Sequence, residues 1–326
     1  MKAAWYSFNG SAREVLIVGD IPTPEPAAGE VRVRLHASGV NPSDVKSRAK
    51  RPPAWAQVVP HSDGAGVIDK VGPGVARQPG ERVWIWNGQW QRPLGTAAQF
   101  IVLPSQQAVP LPDSVSFEEG ACLGIPALTA IEAIRLAGDL AQQTVLVTGA
   151  GSTVGLYITQ LAVRAGARVI GTASKGPRSQ HAIAAGAAEI VDYRNEPVAE
   201  RVKSLTGGRG VDVIIDMDFS TTAALLAEQV LKPHGRLVCY GSNVPGPQLV
   251  DFRALLWGSL ELKYFLVYDL APQAREHGLA TLGDLLNRGA LKHSIAGTFS
   301  LADIAAAHEC VEAGDRIGTT IVTFDA

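Results

Sequence analysis

Near the middle of the 326-residue chain a β-branched run, Thr144-Val-Leu-Val-Thr148, breaks directly into Gly149-Ala-Gly151-Ser152-Thr153-Val154-Gly155. Val154, Ile158, Leu161 and Ala165 then recur at helical spacing, which predicts a helix with one face packed on a sheet. Glycines between strand and helix let the backbone bend sharply and approach a pyrophosphate, whose charge sits against the amides of the helix N-terminus. A turn that only connects strand to helix is the competing reading, and context decides against it. Arg168-Val-Ile-Gly-Thr172 reads as a second strand one βαβ unit later, and further strands are expected at 189–191, 211–215, 236–240 and 260–265 with helix-like stretches between. Six strands alternating with helices predict an α/β fold with an open, doubly wound parallel sheet.

The length allows two domains. A formal charge of −2 offers no electrostatic footprint for nucleic acid or an anionic membrane surface. Cys122, Cys239 and Cys310 are odd in number and far apart, which argues against a disulfide framework and for a reducing compartment. The opening Met1-Lys-Ala-Ala-Trp-Tyr-Ser lacks the apolar core of a signal peptide, and no apolar stretch is long enough to span a bilayer. The expectation is a cytoplasmic protein with no membrane and no nucleic-acid partner.

Ahead of the glycine turn, the segments 30–35, 64–68, 82–86 and 98–102 read as short strands separated by Pro/Gly turn formers, which predicts an antiparallel, partly barrel-like domain. Residues 121–134 read as a helix leading into the nucleotide domain. Beyond 265 the pattern is helix (281–287), strand (293–296), helix (301–311) and strand (320–324), returning to the first domain. The expected division is 1–122 completed by 266–326, and 123–265. With no repeat or long linker, a cleft between two packed domains is the expected ligand site.

Five segments carry a family resemblance: Gly39-Val-Asn-Pro-Ser-Asp44, Ser62-Asp-Gly-Ala-Gly-Val67, Leu123-Gly-Ile-Pro-Ala-Leu-Thr-Ala130, the Gly149 to Gly155 turn, and Gly186-Ala-Ala-Glu-Ile-Val-Asp-Tyr193. In this order and spacing they resemble the medium-chain dehydrogenase/reductase superfamily, and more narrowly its zinc-free quinone oxidoreductase branch, which includes zeta-crystallin. The resemblance spans nearly the whole chain. It implies a GroES-like β domain, a Rossmann nucleotide-binding domain, a cofactor contact at Thr129, and a homodimer joined through the edge of the nucleotide sheet at 260–265.

Zinc members of the superfamily hold their catalytic ion with Cys, His and Cys. Here those positions resemble Asn41, Ser62 and Leu123, which cannot serve as tetrahedral zinc ligands, so no metal is expected. His61 and Cys122 are each one residue from a ligand position and read as a hinge or surface histidine and a small buried hydrophobe. An NAD site places a carboxylate after the second strand, whereas Gly171-Thr-Ala-Ser174-Lys175-Gly-Pro-Arg178 offers a hydroxyl and two cations. NADPH is therefore the expected cofactor, with Ser174, Lys175, Arg178 and Tyr193 toward the 2′-phosphate and adenosine. Solvated loop charge is the competing reading for the two cations. Gly149, Gly151, Ser152, Thr153, Val154 and Gly155 would hold the pyrophosphate, and Gly241, Ser242 and Asn243 would line the cofactor at the carboxyl end of the fifth strand. Two departures from the family stand out. Ser152 replaces the middle glycine, so that the backbone keeps further from the pyrophosphate or the hydroxyl contacts it, and Thr319 replaces a cation that relatives direct at the cofactor phosphates.

With no metal, the acceptor must already be electrophilic enough for hydride, as a small quinone is. Asn41 is the expected donor to the oxygen that gains charge. Asp44 either relays a proton or anchors its loop, and Lys46, which stands where relatives often have tyrosine, is a catalytic candidate that could stabilise an oxyanion. Of Trp55, Trp84, Trp86 and Trp90, one or two could stack on an aromatic acceptor and the rest are packing. Reduction of a conjugated enone or enal, and a nucleotide-binding sensor with little turnover, are the alternatives.

Overall fold

The computed structural model describes residues 1–324 and divides into two compact units, residues 128–278 and residues 1–127 with 279 onward.

In the unit 128–278, six parallel strands lie in the order Glu189–Val191, Arg168–Thr172, Thr144–Val147, Val211–Asp216, Leu231–Cys239, Glu261–Tyr264. Strand order reverses between Thr144–Val147 and Val211–Asp216, the crevice where open α/β sheets bind ligands. Both faces of such a sheet are covered, so its strands read as continuous apolar runs rather than alternating ones. Leu146, Ile170, Ile214 and Leu237 are buried, packed with Val202, Phe219 and Leu226 from the helices Val198–Leu205 and Phe219–Ala227. The fifth strand starts five residues earlier than its apolar pattern suggests. Lys232-Pro-His-Gly235 is turn-forming sequence, and the strand absorbs it as an irregularity between the Val211/Leu231 and Val213/Arg236 pairs, with His234 at φ 60°.

The other unit is built on a seven-stranded sheet. Ile295–Ser300, Thr319–Thr323, Glu30–Val40, Asp63–Val71, Arg82–Ile85 and Ala108–Pro110 follow one another, and Phe100–Pro104 also pairs with Glu30–Val40. All pairs are antiparallel except Ile295–Ser300 with Thr319–Thr323. Strict alternation places Val31, Val33 and Leu35 on one face, where Ile68, Val83, Ile101 and Leu103 complete a buried core. The C-terminal strand thus returns to this sheet beside residues 37–40. The expected 121–134 helix is instead a wide π-type turn, Leu123–Ala127, followed by a regular helix, Leu128–Ala137, because Pro126 has no N–H to continue the α-helical ladder. Among the described residues, no helix is long and apolar enough to cross a membrane.

Candidate active site

The glycine turn is closed by contacts that only glycine permits. Gly149 has φ +65°, and a Cβ there would collide with the Met217 sulfur. A Cβ on Gly155 would collide with the Gly149 carbonyl oxygen and lie 2.8 Å from Ala150 Cα, so the helix Thr153–Arg164 starts directly against the turn. A Cβ on Gly151 would lie 2.7 Å from the Arg178 carbonyl oxygen, and its absence lets the first turn of the helix Pro177–Ala184 sit beside the glycine turn. Ser152 performs a role the sequence reading did not assign. It is the N-cap of the helix, its Oγ accepting the Gly155 N–H at 3.0 Å.

Three residues missed by sequence reasoning pin the turn to its neighbouring strands. Thr148 Oγ1 donates to Asp216 Oδ1 at 2.8 Å and accepts the Met217 N–H at 2.9 Å, while the Gly149 N–H donates to Thr172 Oγ1 at 2.9 Å. Thr222 also donates to Asp216, whose carboxyl is raised above its ordinary range by burial. Threonines at the carboxyl ends of adjacent strands were the available signal. The residues fit a dinucleotide, since close-packed glycines and a helix N-terminus form the cradle that a pyrophosphate needs.

Ser174 and Arg178 are half-buried and Lys175 is exposed, on a loop whose Gly176 has φ +99°. Tyr193 is half-exposed with the Arg194 guanidinium 6.0 Å from its ring centre. The loop has no carboxylate of its own, but the neighbouring strand brings one to it. Register pairs Val191 with Thr172, so Asp192 emerges beside the loop and accepts the Lys175 backbone N–H. On the opposite side of the switch point, Gly241, Ser242 and Asn243 form a loop held by Asp218, which accepts the Asn243 N–H and side-chain amide, each at 2.8 Å. Thr129 is buried in the first turn of Leu128–Ala137.

In the other unit, Asn41 caps the helix Pro42–Lys50. Its backbone N–H donates to Asp44 Oδ2 at 2.7 Å, and its side-chain amide donates to Asp63 Oδ2 at 2.8 Å. Asp63 also accepts the Ile125 N–H at 3.0 Å, tying the helix start to the π-type turn. Burial pushes Asp44 up to about 7 and Asp63 well above the carboxylate range. Lys46 lies on the exposed face of the helix, Trp84 is wholly core, and Trp55 is exposed. Thr319 is buried, and the Cys122 thiol donates to the Glu118 carbonyl at 3.3 Å and is pushed up to about 12 by burial. His61 is not a surface residue. It is fully buried at φ 76°, its Nε2 2.9 Å from that of buried His308 and its Nδ1 2.9 Å from Ser38 Oγ. Desolvation lowers both imidazoles, His61 to about 3. Among the described residues, no three His, Cys, Asp or Glu side chains converge as a metal site.

A zinc-binding dehydrogenase family model matches residues 185–322, and an alcohol dehydrogenase GroES-like domain model matches residues 27–113. A quinone oxidoreductase of Pseudomonas aeruginosa is 33% identical over 318 residues, covering 95% of each chain. The chain belongs to the zinc-free quinone oxidoreductase branch of the medium-chain dehydrogenase/reductase superfamily. Another member, the Mus musculus quinone oxidoreductase, is 31% identical over 322 residues, covering 93% of this chain and 91% of its own. The crystal structure of Escherichia coli quinone oxidoreductase complexed with NADPH superposes with a TM-score of 0.86 at 26% identity, covering 99% of this chain and 100% of that one. As a member of this superfamily the protein is an oxidoreductase with a nicotinamide cofactor.

Proposed function

We propose that the protein is an NADPH-dependent reductase of a small quinone. The observation that carries the cofactor choice is the 174–178 loop, where a hydroxyl and two cations sit beside the glycine turn in the place of an acid. Arg178 offers a planar fork to a 2′-phosphate, Lys175 a point charge, and Tyr193 a flat surface by the adenosine. The nicotinamide, when bound, supplies the hydride. The chain's part is to bind and orient. Gly149, Gly151 and the N-terminal amides of Thr153–Arg164 receive the pyrophosphate, and Thr129 and the 241–243 loop line the cofactor. Asn41, fixed by Asp63 and Asp44, is the amide we assign to an acceptor oxygen that gains charge. Lys46, on the exposed face of the same helix, adds a positive charge to that end of the unit.

Asp44 favours a second reading, reduction of a conjugated enone or enal. That reaction leaves a carbon to be protonated, and a carboxyl raised to about 7 still carries a proton near neutrality. The deciding experiment follows loss of NADPH absorbance, with NADH in parallel, against ortho- and para-quinones and conjugated enals. Turnover of quinones with NADPH preferred supports the first reading, and turnover of enals alone moves the assignment to the second. Tight NADPH binding without turnover of either class would overturn both. Arg178→Gln is expected to raise the KM for NADPH about tenfold while leaving that for NADH within about twofold, since a charged hydrogen bond to phosphate is worth roughly 1.5–3 kcal/mol.

We also propose a homodimer through the nucleotide-sheet edge. Glu261–Tyr264 is the terminal strand, and beside it Phe252, Leu256 and Trp257 are 70%, 55% and 72% exposed on a short helix with no buried residue. Large apolar side chains grouped this way mark an interaction surface. Trp257→Glu is expected to shift the protein from dimer to monomer in light scattering, and an unchanged mass would place any dimer contact elsewhere.

A further inference from the structure

We propose that Asp192 is a specificity-determining residue for the adenosine end of the cofactor, holding the 174–178 loop while offsetting the charge of Lys175, so that the site discriminates less strongly for a 2′-phosphate than its cations alone would. This rests on the reading that the loop receives a 2′-phosphate.

Asp192 as a residue is 8% exposed, and its carboxylate is bonded on several sides. It accepts the Asn195 side-chain amide at 2.7 Å, the Arg194 N–H at 3.3 Å and the Lys175 backbone N–H. These donors, the Asn195 amide first, hold it below the usual carboxylate range, so it is ionised at neutral pH. All three are neutral amides, so none cancels its charge. The nearby Glu196 differs, because it pairs with Arg201 at 3.2 Å. The side-chain cation acting on Asp192 is Lys175, and the two residues line one pocket of about 510 Å³ together with Ser179, Glu189, Asn195 and Glu196. A phosphate approaching Lys175 therefore meets a cation that shares its pocket with a carboxylate, on a loop whose backbone that same carboxylate fixes. A ribose lacking the phosphate meets no such opposition. The anchoring acts on both ligands alike, and the charge acts on the phosphorylated one alone.

The test uses the full chain and isothermal titration with adenosine 2′,5′-bisphosphate and with 5′-AMP. Asp192→Asn preserves side-chain size and removes the charge. It is expected to raise the affinity for the bisphosphate relative to that for 5′-AMP about three- to fivefold, the range of a partly exposed charge pair, while any loss of loop anchoring moves both ligands together. Lys175→Gln should weaken the bisphosphate less than about threefold in the wild-type background and more in the Asp192→Asn background. A parallel change for both ligands would make Asp192 a loop anchor alone and overturn the proposal, as would no change in a wild type that prefers the bisphosphate. A wild type that binds the two ligands equally overturns the 2′-phosphate reading and this proposal together. Should Asp192→Asn not fold, Lys175→Gln alone decides. A tenfold loss of bisphosphate affinity would mean that the lysine charge is not offset, and a loss below about threefold supports the proposal.

Discussion

Replacing Gly155 with alanine is expected to weaken nicotinamide-cofactor binding by at least tenfold and to lower the melting temperature by several degrees. The added methyl would meet the Gly149 carbonyl oxygen, Ala150 Cα and the Ala150 carbonyl carbon, all main-chain atoms of the turn itself. No flexible side chain can yield, so the helix Thr153–Arg164 must withdraw from the turn or the turn must open. Either movement separates the helix amides from the glycines that we propose form the pyrophosphate cradle together. Overpacking of this kind costs typically about 1–3 kcal/mol. Gly283 is the control. It lies within the helix Pro272–Asn287 with no atom within 4 Å of an added Cβ, so Gly283→Ala should stabilise by up to about 1 kcal/mol through helix propensity. Equal Tm and cofactor affinity for Gly155→Ala and wild type would show that the close approach at this turn is dispensable.

The nucleotide sheet was legible because its inner strands carry short apolar runs between turn formers, and periodicity needs only local residues. The site was less so, because its decisive contacts cross long stretches of sequence. Asp192 reaches the 174–178 loop only through the parallel register of Glu189–Val191 on Arg168–Thr172, which no local pattern announces. Ser152 was read for its departure from glycine, yet its position three residues before Gly155 is that of a helix cap, a signal present in the sequence. His61 was misplaced because its partner is 247 residues away, on the helix Ile304–Ala313. An isolated histidine between Pro60 and Ser62 carries no hint of a second imidazole.

Asp63→Asn is expected to change the pH dependence of stability by about tenfold in the folding equilibrium per pH unit. The Asp63 carboxyl is fully buried, and its folded pKa lies above the unfolded value, so its contribution is complete below about pH 4 and is lost as pH rises toward the folded value. Asp44 behaves alike, with its loss ending at about 7. His61 and His308 have the opposite sign. Both are lowered by burial, so their contribution is complete above about pH 6.5 and is lost as pH falls, toward about 3 for His61. Between roughly pH 4 and 6.5 the two acids therefore offset the two imidazoles, and the wild type should be nearly insensitive to pH on their account. Asparagine removes one acid from that balance. Its Oδ1 can still accept from the Asn41 amide and the Ile125 N–H as the Asp63 Oδ2 does at 2.8 and 3.0 Å. Its amide nitrogen takes the place of Asp63 Oδ1, which is buried without a hydrogen-bond partner and faces Gly124 together with the Ile85 carbonyl. The variant and the wild type should then be about equally stable near pH 4, and the variant should gain on the wild type, by at most about tenfold per unit, as pH rises toward the folded value of the Asp63 carboxyl. Chemical denaturation at half-unit steps from pH 4.5 to 8 measures the difference directly. Parallel curves would mean that Asp63 is already ionised in the folded protein, and the Asn41 amide would then be oriented by a full negative charge.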